Sequence, residues 1–225
     1  MIHEWQYAQL TEKAYPHLMV DVLYMKVREN YRVLSKSCHI AVGISQEGDR
    51  EVLGLLIQDG ESEETWSRFF DDLKERGLHG LDLVISDAHK GLVKAIEKSF
   101  TGVLWQRCQV YFLRNIFQNV PKKESQAFRE RVKAIFRITS IDEARRFKDP
   151  VIAEYEDQAG YKKACAILDE GFEDAFQYAV VDPAHPSRRS TNLLERLNEE
   201  IKRREKVVRI SPNTASANRL IRHIT

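Results

Sequence analysis

Cysteine is scarce in this chain: Cys38, Cys108 and Cys165 are the only three among 225 residues. An odd, scattered set does not make a disulfide framework, so it reads as reduced, buried thiols rather than the staples of a small secreted domain. Long hydrophobic runs are missing too. None approaches the roughly 20 apolar residues a helix needs to cross a bilayer, which argues against a helical membrane protein. The opening residues Met1-Ile2-His3-Glu4-Trp5 lack the charged-then-apolar layout of a secretory leader, so a cytoplasmic protein is expected. Internal repeats and low-complexity tracts are also absent, which excludes solenoids and disordered linkers as the organising principle.

What is present suits a soluble globular chain: 43% hydrophobic and 31% charged residues, in a length that allows one large domain or two small ones. The net charge of +1 conceals an asymmetry. Residues 1–100 hold 12 Lys and Arg against 17 Asp and Glu, a balance of −5, whereas residues 101–225 hold 23 against 17, a balance of +6. A basic C-terminal half is compatible with a polyanionic partner.

After a polar lead-in arm over 1–16, the stretch from His17 to Val27 is rich in strand formers. A turn at Glu29-Asn30, a second strand from Val33 to Ile44, a turn at Gln46 to Asp49 and a third strand from Glu51 to Gln58 predict an antiparallel meander. Ser62 and Thr65 offer caps for a helix whose Trp66, Phe69, Phe70 and Leu73 recur at core-facing spacing, and Gly77 stops it. Strands from Leu81 to Ser86 and from Gly102 to Gln106 alternate with helices from Ala88 to Phe100 and from Cys108 to about Asn119. Residues 121–186 carry helical periodicity and almost no strand signal. A final helix runs from a cap at Ser190-Thr191-Asn192 through Arg204, succeeded by an extended segment from Val207. Three antiparallel strands and then alternating helices and strands is the connectivity of a ribonuclease H-like fold. The expected class is therefore α/β, a mixed five-stranded sheet with flanking helices, plus an all-helical insertion. The expected divisions are an arm (1–16), the first part of the core (17–120), the insertion (121–186) and a core return (187–225).

Three acids stand out. Asp87 ends an apolar strand just before a helix, where open α/β sheets place their chemistry, although Asp is also a favoured helix cap. Asp21 interrupts an apolar strand, where an unpartnered carboxylate is costly; the plainer alternative is a strand with one wet face. Glu195 shares a helical face with Asn198, Glu199 and Lys202, and it also fits a capping box with Asn192. By analogy with the fold, the middle of the first strand lies beside the end of the fourth, making Asp21 and Asp87 neighbours.

Several segments together resemble one known family. They are Tyr15-Pro16 with Val22 through Glu29, Val52-Leu53-Gly54-Leu55, Gly60-Glu61-Ser62-Glu63, Val84 through Leu92, Trp105-Gln106-Arg107-Cys108, Asn119 through Lys122, Thr191 through Asn198, Lys202-Arg203-Arg204 and Val207 through Ile210. In this order and over nearly the whole chain, the sequence is similar to the Mutator-like transposases of bacterial insertion sequences. The resemblance implies a ribonuclease H-like catalytic domain whose Asp21, Asp87 and Glu195 form an aspartate–aspartate–glutamate triad. It departs from the family at Tyr111, where a histidine is usual three residues after the cysteine, and at Ser211, where an aromatic residue is usual.

Converging carboxylates repel one another unless cations lie among them, and hard oxygen ligands select Mg²⁺ or Mn²⁺. Two such ions, about 3.5–4 Å apart, serve in-line phosphoryl displacement. The expected function is metal-dependent DNA cleavage and strand transfer at transposon ends. The expected partners are double-stranded DNA and a second copy or a full-length transposase, with a nucleoid-associated location. Candidate DNA contacts are His89, Arg188, Arg189, Lys202, Arg203 and Arg204, through phosphates rather than bases. Family members carry a DNA-binding region ahead of the first strand and a longer tail. The alternative expectation is therefore a truncated, inert transposase that acts by pairing with full-length copies.

Overall fold

The computed structural model describes residues 8–181 and 192–222, and its centre is a long hairpin. Strand β1 (His17–Glu29) pairs antiparallel with β2 (Arg32–Ile44) along its entire length, Glu29 opposite Arg32. The two-residue turn between them holds Asn30 and Tyr31 at φ 46° and 64°. Positive φ at both positions is the primed turn whose twist matches the flanking strands. Tyr31 meets no packing there, because its ring stands fully in solvent.

Strand β3 (Arg50–Gln58) pairs antiparallel with β2, with a bulge beside Ala41 and Val42. Strand β4 (Leu83–Ser86) lies parallel to β1 on its other side, and β5 (Leu104–Arg107) closes the order β3-β2-β1-β4-β5. This is the mixed sheet of the ribonuclease H-like fold, reached from three meander strands and two crossovers.

One face of the sheet is covered by α1 (Glu63–Glu75) and α2 (Lys90–Ser99). Helix α1 starts with a reciprocal capping box between Ser62 and Thr65 and carries Glu63 and Glu64 in its first turn, near the positive end of its dipole. Its Trp66, Phe69, Phe70 and Leu73 are buried against Leu18, Val20, Ala41 and Leu53 of the sheet. The opposite face carries Met19, Leu23, Met25 and Val27 of β1, all buried. Helices α8 (Asn192–Val208) and α9 (Thr214–Arg222) pack there, burying Leu197, Ile201, Ala217 and Ile221. Helix α8 continues beyond the expected end at Arg204 as far as Val208, because Arg209 at φ 62° is the first residue to leave helical geometry. The chain then returns to the sheet, where Ser211 bridges to Val27 at the edge of β1.

The described part of the arm is tied to the sheet: Tyr15 donates its hydroxyl to Glu51 at 2.8 Å, and the Leu10 amide donates to the Arg76 carbonyl at 2.6 Å.

Residues 106–190 form a second compact unit, distinct from the one made of 1–105 and 191–225. Its described part contains α3 (Gln109–Gln118), α4 (Gln126–Ile135), α5 (Ile141–Tyr155), α6 (Lys162–Glu170), a 3-10 turn (Glu173–Phe176) and α7 (Tyr178–Val181). Phe112, Phe136, Phe172, Phe176 and Tyr178 make a chain of ring contacts at its centre. Cys108 and Cys165 are buried within this unit, and Cys38 within the other; all three are free thiols.

Candidate active site

The parallel pairing of β1 with β4 is short, and that shortness creates the site. The register pairs His17 with Leu83, Leu18 with Val84 and Met19 with Ile85, and then the strands part. Asp21 lies two residues beyond Met19 and Asp87 two residues beyond Ile85. Both acids therefore lie just past the end of the parallel pairing, Asp21 within β1 and Asp87 in the loop that follows β4.

Asp21 is 8% exposed on the face that α8 covers. Its Oδ1 accepts from the Val22 amide at 2.9 Å, and its Oδ2 accepts from Asn198 Nδ2 of α8 at 2.5 Å. Asp21 is therefore no wet-face carboxylate: it points into a built interface. Asn198 is itself buried, and its Oδ1 has no hydrogen-bond partner among the described residues. An orphaned buried carbonyl oxygen costs about 1–3 kcal/mol unless something fills its lone pairs. It therefore marks a place beside Asp21 where a ligand would be favoured.

Asp87 does not cap α2. That place falls to His89, whose side chain makes no capping bond, while Asp87 Oδ1 accepts from the His89 amide at 3.1 Å. Ser86 Oγ, just before it, accepts from the Trp105 indole at 2.9 Å, fixing the end of β4.

A further acid lies near Asp87. Glu61 precedes α1 and accepts from the Trp66 indole at 3.0 Å and the Tyr24 hydroxyl at 3.1 Å, and His89 Nδ1 lies 3.4 Å from its Oε1. The Tyr24 phenol is pushed up by burial first, and then by the negative charges of Glu61 and Asp87, so Asp87, Glu61 and Tyr24 share one electrostatic neighbourhood. Glu61 lies in a segment that carries the family resemblance, but it stands in a loop between turn residues, with no periodicity to single it out. The beginnings of α1 and α2 meet closely here: a Cβ on Gly91 would lie 2.8 Å from the Glu63 amide nitrogen and 3.2 Å from His89 Cε1.

Glu195 lies on the first turn of α8, one helical turn before Asn198, but its side chain is outside the described residues, as are Arg188 and Arg189. Lys202 is exposed. Arg203 forks onto Glu200 with two bonds of 2.7 Å. Arg204, half-buried, reaches Glu200 at 2.9 Å and the Leu220 carbonyl, which ties α8 to α9. The two guanidinium groups hold the Glu200 carboxyl down to about 2. Tyr111 begins α3 in the second unit, with the Arg114 guanidinium 5.2 Å from its ring centre. Ser211 exchanges backbone bonds of 2.8 and 2.9 Å with Arg28 and Lys26, a role that any residue with an N–H can fill.

The chain thus has a ribonuclease H-like sheet, with Asp21 and Asp87 just past the parting of β1 and β4 and a late helix bonded to Asp21. Comparison with known proteins makes the class specific. The profile described as "Transposase, Mutator family" matches residues 1–225, and the chain belongs to that family. It is 65% identical over 221 residues to the transposase for insertion sequence element IS256 in transposon Tn4001 of Staphylococcus aureus, covering 98% of this chain and 57% of that protein. It is 38% identical over 212 residues to the transposase for insertion sequence element ISRM5 of Rhizobium meliloti, covering 94% of this chain and 53% of that protein. The chain thus spans about half the length of the curated relatives it matches. Among solved structures, the Drosophila P element transposase strand transfer complex is similar with a TM-score of 0.47 and 9% identity, over 92% of this chain and 76% of that one.

Proposed function

We propose that this chain carries the catalytic domain of an insertion-sequence transposase, performing divalent-metal-dependent DNA strand cleavage and strand transfer with Asp21, Asp87 and Glu195. The observation that carries the reading is the bond from Asn198 to Asp21. It ties α8 to the first acid, and Glu195 stands one turn earlier on the same helix.

The donor chemistry fits Mg²⁺ or Mn²⁺. The carboxyl oxygens of Asp21 and Asp87 are hard donors, and the Asn198 oxygen, without a hydrogen-bond partner among the described residues, adds a neutral one beside Asp21. Asp21, Asp87 and Glu195 would hold two ions, which when bound activate an attacking water or 3′-hydroxyl and stabilise the leaving oxygen. The chain's own part is positioning. Asn198 ties the Asp21 carboxylate to α8. The Asp87–His89 backbone bond fixes the loop after β4. Glu61 accepts from the Tyr24 hydroxyl at the rim, with the His89 ring nitrogen 3.4 Å away.

Asp21→Asn, Asp87→Asn and Glu195→Gln should each abolish Mg²⁺-dependent nicking of duplex DNA bearing the element's ends. Full nicking by any one of them removes that residue from the assignment.

A further inference from the structure

The β1–β2 hairpin outruns the rest of its sheet. β4 leaves β1 after Met19, and β3 leaves β2 at Ser37. Residues 25–29 and 32–36 therefore pair only with each other, apart from the single bridge of Val27 to Ser211. The inner face of this ribbon is filled only in part: Met25, Val27 and Lys36 are buried, Leu34 and Arg32 are exposed, and Lys36 is neutralised by Glu29 and Asp59. The outer face lies beyond the start of α1 and is bare. It presents Tyr24, 53% exposed, then Lys26 and Arg28 on alternate positions of β1, with Val33, 47% exposed, and Ser35 opposite them. Neither Lys26 nor Arg28 has an ion-pair partner among the described residues, and Glu29, the one acid of the ribbon, points inward to Lys36 and Thr214. Glu205 approaches only the Lys26 amide, at 3.3 Å.

A face with two cations that have no ion-pair partner among the described residues, and with an exposed aromatic ring that meets Glu61 only at its inner end, is complementary to a polyanion with stackable rings. A two-stranded ribbon is also an element that DNA grooves admit. Its inner end is fixed by chemistry: Tyr24 donates to Glu61 and feels the charge of Asp87. We propose that the outer face of this ribbon is a DNA-backbone track, in which Lys26 and Arg28 hold phosphates of the duplex whose reacting bond lies at Asp87, with Tyr24 as the threshold between track and site. The proposal rests on the transposase reading and adds a surface to it. The track runs outward for about 13 Å from Tyr24 to Arg28, at roughly 3.3 Å per residue.

The test is duplex binding by the whole chain, read as fluorescence anisotropy with a labelled random-sequence oligonucleotide in Ca²⁺ from about 50 to 200 mM salt. Lys26→Gln/Arg28→Gln should weaken binding at least tenfold. It should also flatten the plot of log affinity against log salt by about 1.8, two phosphates at about 0.9 each. Asp87→Asn should bind DNA with the wild-type slope while failing to nick it, so loss of the track and loss of the acid site are read separately. An unchanged slope in the double variant overturns the track and leaves the acid site standing, as does a double variant that nicks DNA at the wild-type rate under subsaturating protein. A wild-type chain that binds no duplex also overturns it. So does a double variant that changes only self-association in sedimentation, because the face would then be a protein contact.

Discussion

Asn198 is the residue on which the site's geometry turns, because it gives one hydrogen bond and keeps one oxygen unspent. Replacing it with alanine removes the clamp on Asp21 and leaves that buried carboxylate short of a donor. Asn198→Ala should lower Mn²⁺ affinity about 10–100-fold, as the loss of outer-shell partners of metal ligands does. Isothermal titration of the two proteins decides it; equal affinities would mean that Asn198 only fastens α8 to the sheet. His39, buried on β2 against the rings of Trp66 and Phe69, has a residue-scale consequence of its own. Burial pushes its imidazole down from 6.5 to about 4, with the Leu56 backbone offsetting only part of the effect. The folded chain keeps His39 neutral while the unfolded chain binds a proton below 6.5. Stability is therefore intact above that pH and is lost as the pH falls toward 4, by roughly 3 kcal/mol. His39→Phe, which keeps a ring in the aromatic pocket, should flatten the unfolding free energy over that window relative to wild type.

At the scale of elements, the meeting of α1 and α2 holds the rim of the site. Gly91 has no side chain to separate them, and the nearest atoms a Cβ would strike include the Glu63 and Ser62 backbone, which cannot swing aside as a side-chain tip can. Gly91→Val should destabilise by about 1–3 kcal/mol, the range for overpacked sites. Urea unfolding that shows no loss would mean that the helix starts separate freely. The strands and helices of the α/β unit were legible in the sequence because each had its own period and punctuation. The alternation in His17 to Val27, the capping pair Ser62 and Thr65, and the aromatic stripe of α1 all name their partners locally. The end of α8 was not legible: Val207 and Val208 read as strand formers, yet they complete a helix that Ser211 then anchors to β1. Local propensity yielded there to a tertiary contact.

Across the whole molecule, an ion held at the candidate acids would be linked to folding. If the acids hold Mn²⁺ only in the folded chain, the ion at about 100 times its dissociation constant should stabilise the unit carrying the site by about 2.7 kcal/mol. Melting curves should show that upward shift in wild type and not in Asp87→Asn; an equal shift in both would place the ion elsewhere. The charge asymmetry of the sequence directed attention to the C-terminal half, but Lys26 and Arg28, cations with no ion-pair partner among the described residues, lie in the acidic half. Net charge is a sum over the surface, whereas binding depends on which charges face outward without a partner.

The sequence by itself determined the elements and their order and singled out the candidate acids, because periodicity, turn chemistry and a carboxylate inside an apolar strand are local facts. Only the tertiary structure decided that β1 and β4 part at Met19 and Ile85, that Asn198 reaches Asp21 across the sheet, and that the hairpin stands clear with one bare face. Those are consequences of strand register and helix docking, which depend on residues far apart in the chain and leave no mark on any single stretch of it.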